Sequence, residues 1–291
     1  MLALLVVSPL CLRAEETDLP EFASGNGITV LKTSWMDENK RTVVVDIQTQ
    51  MIAEEAINGG VNQVWITLPK NYSSKAKVDH RYPVLYLMHG GGGGWAGQWV
   101  QGGGQAEEYT EDLDLITVMP DAGKVGWFTD WVGDGSRCAQ KWESFHIKQL
   151  IPWVDANLRT NASKSGRAIA GLSMGGFGAF HHAFRHPELF AYAGSYSGAL
   201  DLQEQGTQLV ILQQSQSSGF DPYGAFGRFD DDNWNVHNPL KHAGSLSGIY
   251  LDMYAGSGMH DFDVLERTMG QSTFRLHNAL NDAGITSSFL M

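Results

Sequence analysis

The chain is short of cysteine, of positive charge and of long apolar runs. Two cysteines, Cys11 and Cys138, occur in 291 residues, so at most one intrachain disulfide could form. Lys and Arg total 20 against 32 Asp and Glu, a net charge of −12. That balance excludes general nucleic-acid binding, which rests on neutralising phosphates with basic side chains. No apolar run reaches the roughly 18 residues that a membrane span needs. Charged residues make up only 18%, while 43% are hydrophobic and 11% aromatic, a globular rather than a disordered composition. Glycine is abundant, at 34 residues, but without a three-residue period. Collagen is thereby excluded, and many tight turns are expected.

The stretch Leu2 to Leu12 is apolar and ends at Leu12-Arg13-Ala14. It is expected to be a short secretory signal cleaved after Ala14, giving an extracytoplasmic protein. Pro9-Leu10 ahead of Cys11 makes a poor lipoprotein box, so no lipid anchor is expected. After cleavage only Cys138 remains, and no intrachain disulfide can form. Residues 15–291 then read as one domain, without internal repeat or long linker.

Strands are expected at Ile28 to Leu31, Thr42 to Thr49 and Asn62 to Leu68, rich in Val, Ile and Thr and separated by turn residues. Tyr82 to Met88 and Asp114 to Met119 are short apolar runs of the kind found in buried parallel strands. Further strands are expected at Arg167 to Ala170, Phe190 to Ser195, Gly248 to Tyr254 and Thr286 to Met291. Helical spacing marks Trp142 to Leu158, Met174 to Arg185 and Val264 to Ala283, the last stopped by Gly284. An antiparallel start followed by strand–helix alternation implies an α/β fold: a mostly parallel sheet with antiparallel N-terminal strands and helices on both faces. Residues 201–246, rich in Gln, Ser, Gly and Asp, break the rhythm and read as a lid-like excursion. Its triplet Asp230-Asp231-Asp232 lacks the glycine and closing Glu of a calcium loop and reads as a solvated turn. No metal or cofactor is implied.

Gly171-Leu172-Ser173-Met174-Gly175 has the form Gly-x-Ser-x-Gly. The pattern alone is permissive, but a strand leads into it and a helix follows at once, with Gly175, Gly176 and Gly178 on its first turns. A strained strand-to-helix turn needs small neighbours if its serine is to project above the sheet. The helix N-terminus behind it supplies N–H groups and a favourable dipole for an oxyanion. Ser173 is therefore the candidate nucleophile. A second element, Met88-His89-Gly90-Gly91-Gly92-Gly93-Gly94, follows directly on a strand. A glycine loop of this kind lets a backbone N–H approach a substrate oxygen. The oxyanion donors are assigned to Gly91 and to Met174, the residue after the nucleophile. Gly92 to Gly97 with Asp121 also mimics a dinucleotide fingerprint, but the stretch after it makes a poor crossover helix.

From Val61 to Met291 these residues resemble the secreted esterase and acyltransferase branch of the α/β-hydrolases, which includes the mycolyltransferases. The markers are the His89-Gly90 loop, Met119-Pro120-Asp121, Gly126-Trp127-Phe128-Thr129-Asp130-Trp131 and Trp142-Glu143-Ser144-Phe145, then Gly171 to Gly175. His186-Pro187-Glu188-Leu189-Phe190, Gly194-Ser195-Tyr196-Ser197-Gly198, Trp234 and Asn238-Pro239-Leu240 follow in order. The resemblance implies acyl transfer through an acyl-serine, with a histidine base, an orienting acid and two oxyanion donors. The acid it implies is Glu266, early in the helix after the strand that follows the lid. Asp261 and Asp263 are the alternatives, because many α/β-hydrolases place an Asp in the loop just after that strand.

The histidine is expected in a Gly-x-His-like segment after the last strand, and the chain ends inside that strand at Met291. None of the ten histidines fits the slot. His260 precedes the candidate acid, His277 lies on a helix face, and His89 is suited to organising its loop. His181, His182 and His186 are expected to pack or cap. The chain is accordingly read as ending before its base, with weak residual activity at best. Where mycolyltransferases carry Asp-Gly-Leu-Arg, this chain has His89-Gly90-Gly91-Gly92, so the arginine linked to a sugar acceptor is missing. Cys138 lies where some relatives hold a disulfide, without its partner. Trp95, Trp99, Trp127, Trp131 and Trp234 line a cleft or fill the core. The expected activity is ester hydrolysis on a small ester or glycolipid. The alternatives are acyl transfer to a sugar or glycerol hydroxyl, and a non-catalytic binding module on the same fold.

Overall fold

The computed structural model describes residues 19–57, 60–133, 140–258 and 263–291. The expected signal segment 1–14 with Cys11, the loop holding Cys138, and His260 and Asp261 lie outside the described residues. Nine strands form one sheet: β1 (Ile28–Trp35), β2 (Thr42–Thr49), β3 (Asn62–Thr67), β4 (Val84–Met88), β5 (Ile116–Pro120), β6 (Arg167–Leu172), β7 (Tyr192–Tyr196), β8 (Tyr250–Tyr254) and β9 (Ser288–Leu290). Their spatial order is β1-β2-β3-β5-β4-β6-β7-β8-β9. The pairs β1–β2, β2–β3 and β3–β5 are antiparallel, and every later pair is parallel. The hydrophobic patterns dictate this division. Strand β2 alternates with Val43, Val45 and Ile47 buried, as a one-sided antiparallel strand must. Strand β5 is buried at every position, as a central strand covered on both faces must be.

The chain enters the parallel sheet at β4, steps out to β5, then crosses back to place β6 on the other side of β4. The carboxyl ends of β4 and β6 therefore flank a topological switch point, where an open α/β sheet leaves a crevice for a ligand. Register fixes those ends side by side: Met88 pairs with Gly171, and Leu172 with Tyr196, which pairs in turn with Tyr254.

The large core packs the helix Met174–Arg185 against one face of the sheet. Phe177 and Phe180 on that helix are fully buried, each worth roughly 1.5–3 kcal/mol of hydrophobic stabilisation. The segment expected as one helix over 142–158 is three: α-helical at Trp142–Ser144, π-helical at Phe145–Leu150 and α-helical again at Ile151–Asn157. Pro152 sits at the junction. It has no N–H to give to a carbonyl four residues back, which favours a local change of pitch. The opposite face carries a smaller cluster of Trp65, Leu87, Ala96, Ala106, Met119 and Ala170. Among the described residues, the helices that contribute to this cluster are the four-residue Gln98–Gln101 and Ala106–Tyr109, so the expected helices cover the two faces unequally.

Residues 201–246 contain a helix that the sequence pattern does not predict, Gln205–Ser217. Its buried stripe is Thr207, Ile211 and Ser215, at i, i+4 and i+8. Two of the three are polar, so no apolar period marks it. Glu204 starts it, accepting the Thr207 N–H at 2.7 Å. The acidic triplet is a turn, with Asp231 accepting from the Arg228 N–H.

Candidate active site

Ser173 sits between β6 and its helix with φ +53° and ψ −112°, a conformation that L-residues rarely adopt. The turn is held from both sides. The Ser173 N–H donates to Tyr196 O at 2.7 Å, and its carbonyl accepts the Phe177 N–H at 3.0 Å. The glycines around it are required by contact rather than by their own φ. A Cβ on Gly171 would lie 2.3 Å from the Gly175 backbone, and one on Gly175 would lie 2.2 Å from Met88 O. The helix Met174–Arg185 thus begins in backbone contact with β4, which brings Ser173 beside the glycine loop.

In that loop each donor has a distinct fate. The Gly90 N–H donates to Gln98 Oε1 at 2.7 Å, and the Gly92 N–H to Lys124 O at 3.0 Å. Among the described residues, the N–H groups of Gly91 and Met174 have no acceptor. These are the two donors assigned from the sequence. Met174 Cβ and Sδ both lie 3.4 Å from the point where a Cβ of Gly91 would be, so the two residues are neighbours. His89 is fully buried, its Nε2 accepting the Ala122 N–H at 2.9 Å and its Nδ1 contacting Gly90 O at 2.8 Å. Both ring nitrogens are engaged, and the ring ties the loop after β4 to the loop after β5. Gly92–Gly97 leads only into a four-residue helix, and Asp121 Oδ1 is taken by the Gly123 N–H. The dinucleotide reading has no crossover helix to stand on.

Glu266 lies on the first turn of the helix Val264–Asp282, partly buried. Its Oε1 accepts the Ser197 hydroxyl at 2.5 Å and the Gly256 N–H. Ser197 follows β7 and Gly256 follows β8, so the carboxylate is held at the carboxyl end of the sheet. Ser173 and Glu266 are linked through the end of β7: Tyr196 O accepts from Ser173, and the next residue holds Glu266. Asp263 is the N-cap of that helix, accepting the Glu266 N–H at 3.0 Å. Among the described residues no histidine is hydrogen-bonded to Ser173 or to Glu266.

The tryptophans divide. Trp127 and Trp234 are buried in the core against Phe226. Trp131 packs on Phe220, and Trp95 is partly buried. Trp99 donates to Met88 O at 3.0 Å and packs on Tyr196, which stacks in turn on Tyr254. These three rings form a partly exposed aromatic row along the carboxyl ends of β4, β7 and β8. Tyr196 stands in the sequence only as part of the Gly194-Ser195-Tyr196-Ser197-Gly198 marker, and no local pattern marks Tyr254.

Along the helix Met174–Arg185 is a buried polar cluster. Glu143, His181 and His237 bring one potential ligand atom each within 4.8 Å of the others, so they could hold a metal ion. Their own hydrogen bonds already account for much of their chemistry. Glu143 Oε1 accepts from Arg185 Nε at 2.6 Å and pairs with His186 Nε2 at 2.9 Å. His181 Nε2 and His237 Nδ1 are 2.8 Å apart. Burial would raise the Glu143 carboxyl, but the bonds from His186 and Arg185, with the positive field of the cluster, hold it well below the carboxylate range. Burial pushes His237 down to about 4 and His182 to about 3, and lowers His181 and His146 as well.

These shifts predict acid sensitivity. The folded state binds protons on these rings more weakly than the unfolded chain, where a histidine titrates near 6.5. Below about pH 6.5 the unfolded state takes up protons first, so stability falls as pH drops toward about 4. Each such ring contributes up to about 1.4 kcal/mol per pH unit in that window. The expected result is a Tm lower by several degrees at pH 5 than at pH 7 in thermal unfolding. A flat profile would mean that the rings are not held neutral.

The fold and site together define an α/β-hydrolase: a mostly parallel sheet, a serine on the sharp turn after a central strand, and free N–H groups beside it. The chain belongs to the family described as "Putative esterase", whose model matches residues 56–282. It is 36% identical over 241 residues to the esterase Rv1288 of Mycobacterium tuberculosis, covering 78% of this chain and 50% of that protein. It is 31% identical over 195 residues to the diacylglycerol acyltransferase/mycolyltransferase Ag85B of Mycobacterium leprae, covering 62% and 59%. The chain thus spans about half the length of Rv1288. Among solved structures, M. tuberculosis MPT51 superposes with a TM-score of 0.62 at 23% identity, over 79% of this chain and 83% of that one. The Staphylococcus aureus serine hydrolase FphF does so at 0.67 and 16%, over 86% and 89%. Both likenesses are of fold. Among the described residues no helix is long and apolar enough to cross a membrane.

Proposed function

We propose that this protein is an exported serine carboxylesterase that works through an acyl-serine. The observation that carries this reading is the strained Ser173 turn beside two N–H donors that lack acceptors. Ser173 Oγ attacks the ester carbonyl carbon while a histidine base takes its proton. The carbonyl oxygen, now negative, is held by the Gly91 and Met174 N–H groups. The bond to the alkoxy oxygen breaks, and the base returns the proton to the departing alcohol. Water then attacks the acyl-serine by the same route and releases the acid. Glu266, fixed by Ser197 and Gly256, orients the base and stabilises its charged form.

The base, on this reading, is a histidine oriented by Glu266. Leu290 O accepts the Ala255 N–H at 3.0 Å, so strand β9 runs out beside Gly256 and Glu266. The apolar leader Leu2 to Leu12 is what supports export.

A hydroxyl of a sugar or glycerol could take the place of water in the second step. The similarity to Ag85B, named as an acyltransferase and mycolyltransferase, favours this second reading. Two measurements on the full-length protein test the proposal. Mass spectrometry after brief exposure to p-nitrophenyl acetate should find the acetyl group on the Ser173 peptide, and an adduct elsewhere sinks the assignment. Glu266→Gln should lower kcat about a thousandfold, the loss expected when the base is no longer oriented. A fall of less than about tenfold would hand the acid role to another residue.

A further inference from the structure

The lid segment sends one side chain into the oxyanion region. Gln214 lies on the third turn of the helix Gln205–Ser217. Its Oε1 is inaccessible to solvent and has no hydrogen-bond partner. The same atom lies 2.9 Å from the point where a Cβ on Gly91 would be, and Nε2 lies 3.6 Å from the corresponding point on Gly92. A buried amide oxygen without a donor is uncommon and calls for a cause. Here the cause is electrostatic. The N–H groups of Gly91 and Met174 have no acceptor, and the nucleophile helix adds its positive end. The amide oxygen lies against the Gly91 backbone and completes no hydrogen bond there.

We infer that Gln214 is a third oxyanion donor, supplied by the lid, that contacts the acyl oxygen once substrate is bound. The inference rests on the proposed acyl-serine chemistry. A primary amide presents an acceptor at one end and two N–H donors at the other, and rotation about χ3 exchanges them. With the hole empty, the amide oxygen lies against Gly91. With a substrate oxygen between those donors, an inward amide oxygen would repel the growing negative charge. The rotated amide would instead donate Nε2–H to it. Such a contact strengthens as charge develops, so it acts on the transition state rather than on substrate binding. Nothing in the local sequence marks this residue, because Gln213, Gln214 and Gln216 stand together in a polar stretch.

The test compares Gln214→Ala and Gln214→Glu with the wild type, in the full-length protein, on p-nitrophenyl acetate. Alanine is a good helix former, and an unchanged Tm confirms that the helix is intact. Gln214→Ala is expected to lower kcat about a hundredfold, with KM within about threefold, the size of effect seen when one oxyanion donor is removed. Gln214→Glu is expected to be slower still at neutral pH, since it keeps the shape but faces the oxyanion with a negative charge. If Gln214→Ala leaves kcat unchanged or raises it, while Ser173 still acylates, the side chain only covers the hole and the inference fails alone. If the wild type forms no adduct on Ser173, the inference falls together with the acyl-serine reading.

Discussion

Replacing Ser173 by alanine is expected to abolish ester turnover by the full-length protein, with kcat falling about a millionfold toward the residual level left by binding and oxyanion contacts. The substitution removes one oxygen and changes little else. The Ser173 N–H bond to Tyr196 O and the carbonyl bond to the Phe177 N–H are both made by backbone, so the fold survives. Alanine does inherit φ +53°, which costs of order 1–3 kcal/mol for any residue with a Cβ. Serine already bears that strain, so Tm should stay within a few degrees of the wild type. Retention of turnover by the alanine variant, with the fold intact, would show that another group is the nucleophile.

Gly175→Ala is expected to do the reverse, losing activity by damaging the turn. The new Cβ would lie 2.2 Å from Met88 O, 2.6 Å from Met88 C and 2.7 Å from His89 O. All three are backbone atoms of the strand and loop that present Gly91, so no side chain can swing aside. Relief requires the nucleophile helix to back away from β4, which separates Ser173 from the Gly91 N–H. Overpacking of a core commonly costs 1–3 kcal/mol, and contact with rigid backbone puts this case at about 3 kcal/mol or more. For a chain of this size that is a fall in Tm of roughly 10 °C, with esterase turnover lost as well. Gly244→Ala is the control. It has nothing within 4 Å of its Cβ position, and its effect should stay within about 0.5 kcal/mol. Equal Tm values for the two variants would refute the close approach of helix and strand.

The sheet was legible because its strands obey simple burial rules. The apolar run ending at Met88 and the alternation in Thr42–Thr49 each mark a strand whose burial matches the pattern. The helix Met174–Arg185 was legible to the residue, since a glycine-rich start and an apolar body leave little choice. The helix Gln205–Ser217 was not, because it buries Thr207 and Ser215 beside a single Ile211. A hydroxyl packs as a small group when burial demands it, but in the sequence it is indistinguishable from a surface residue. The change of pitch at Phe145–Leu150 was hidden too, since apolar spacing tracks a face and not the hydrogen-bond pattern beneath it.

The same division runs through the site. By itself the sequence determined where the sharp turn lies, since only small residues let a strand reverse into a helix around Ser173, and that steric demand is local. It also placed a glycine loop after a central strand and an acid on a helix start. Tertiary structure alone decided that the Gly90 and Gly92 N–H groups are taken by Gln98 and Lys124 while that of Gly91 is left free. It alone set Ser197 and Gly256 around Glu266 and brought Gln214 over the loop. Those outcomes depend on groups far apart in the chain. A backbone donor is free or spent according to what the rest of the fold packs against it, and no local pattern of residues records that.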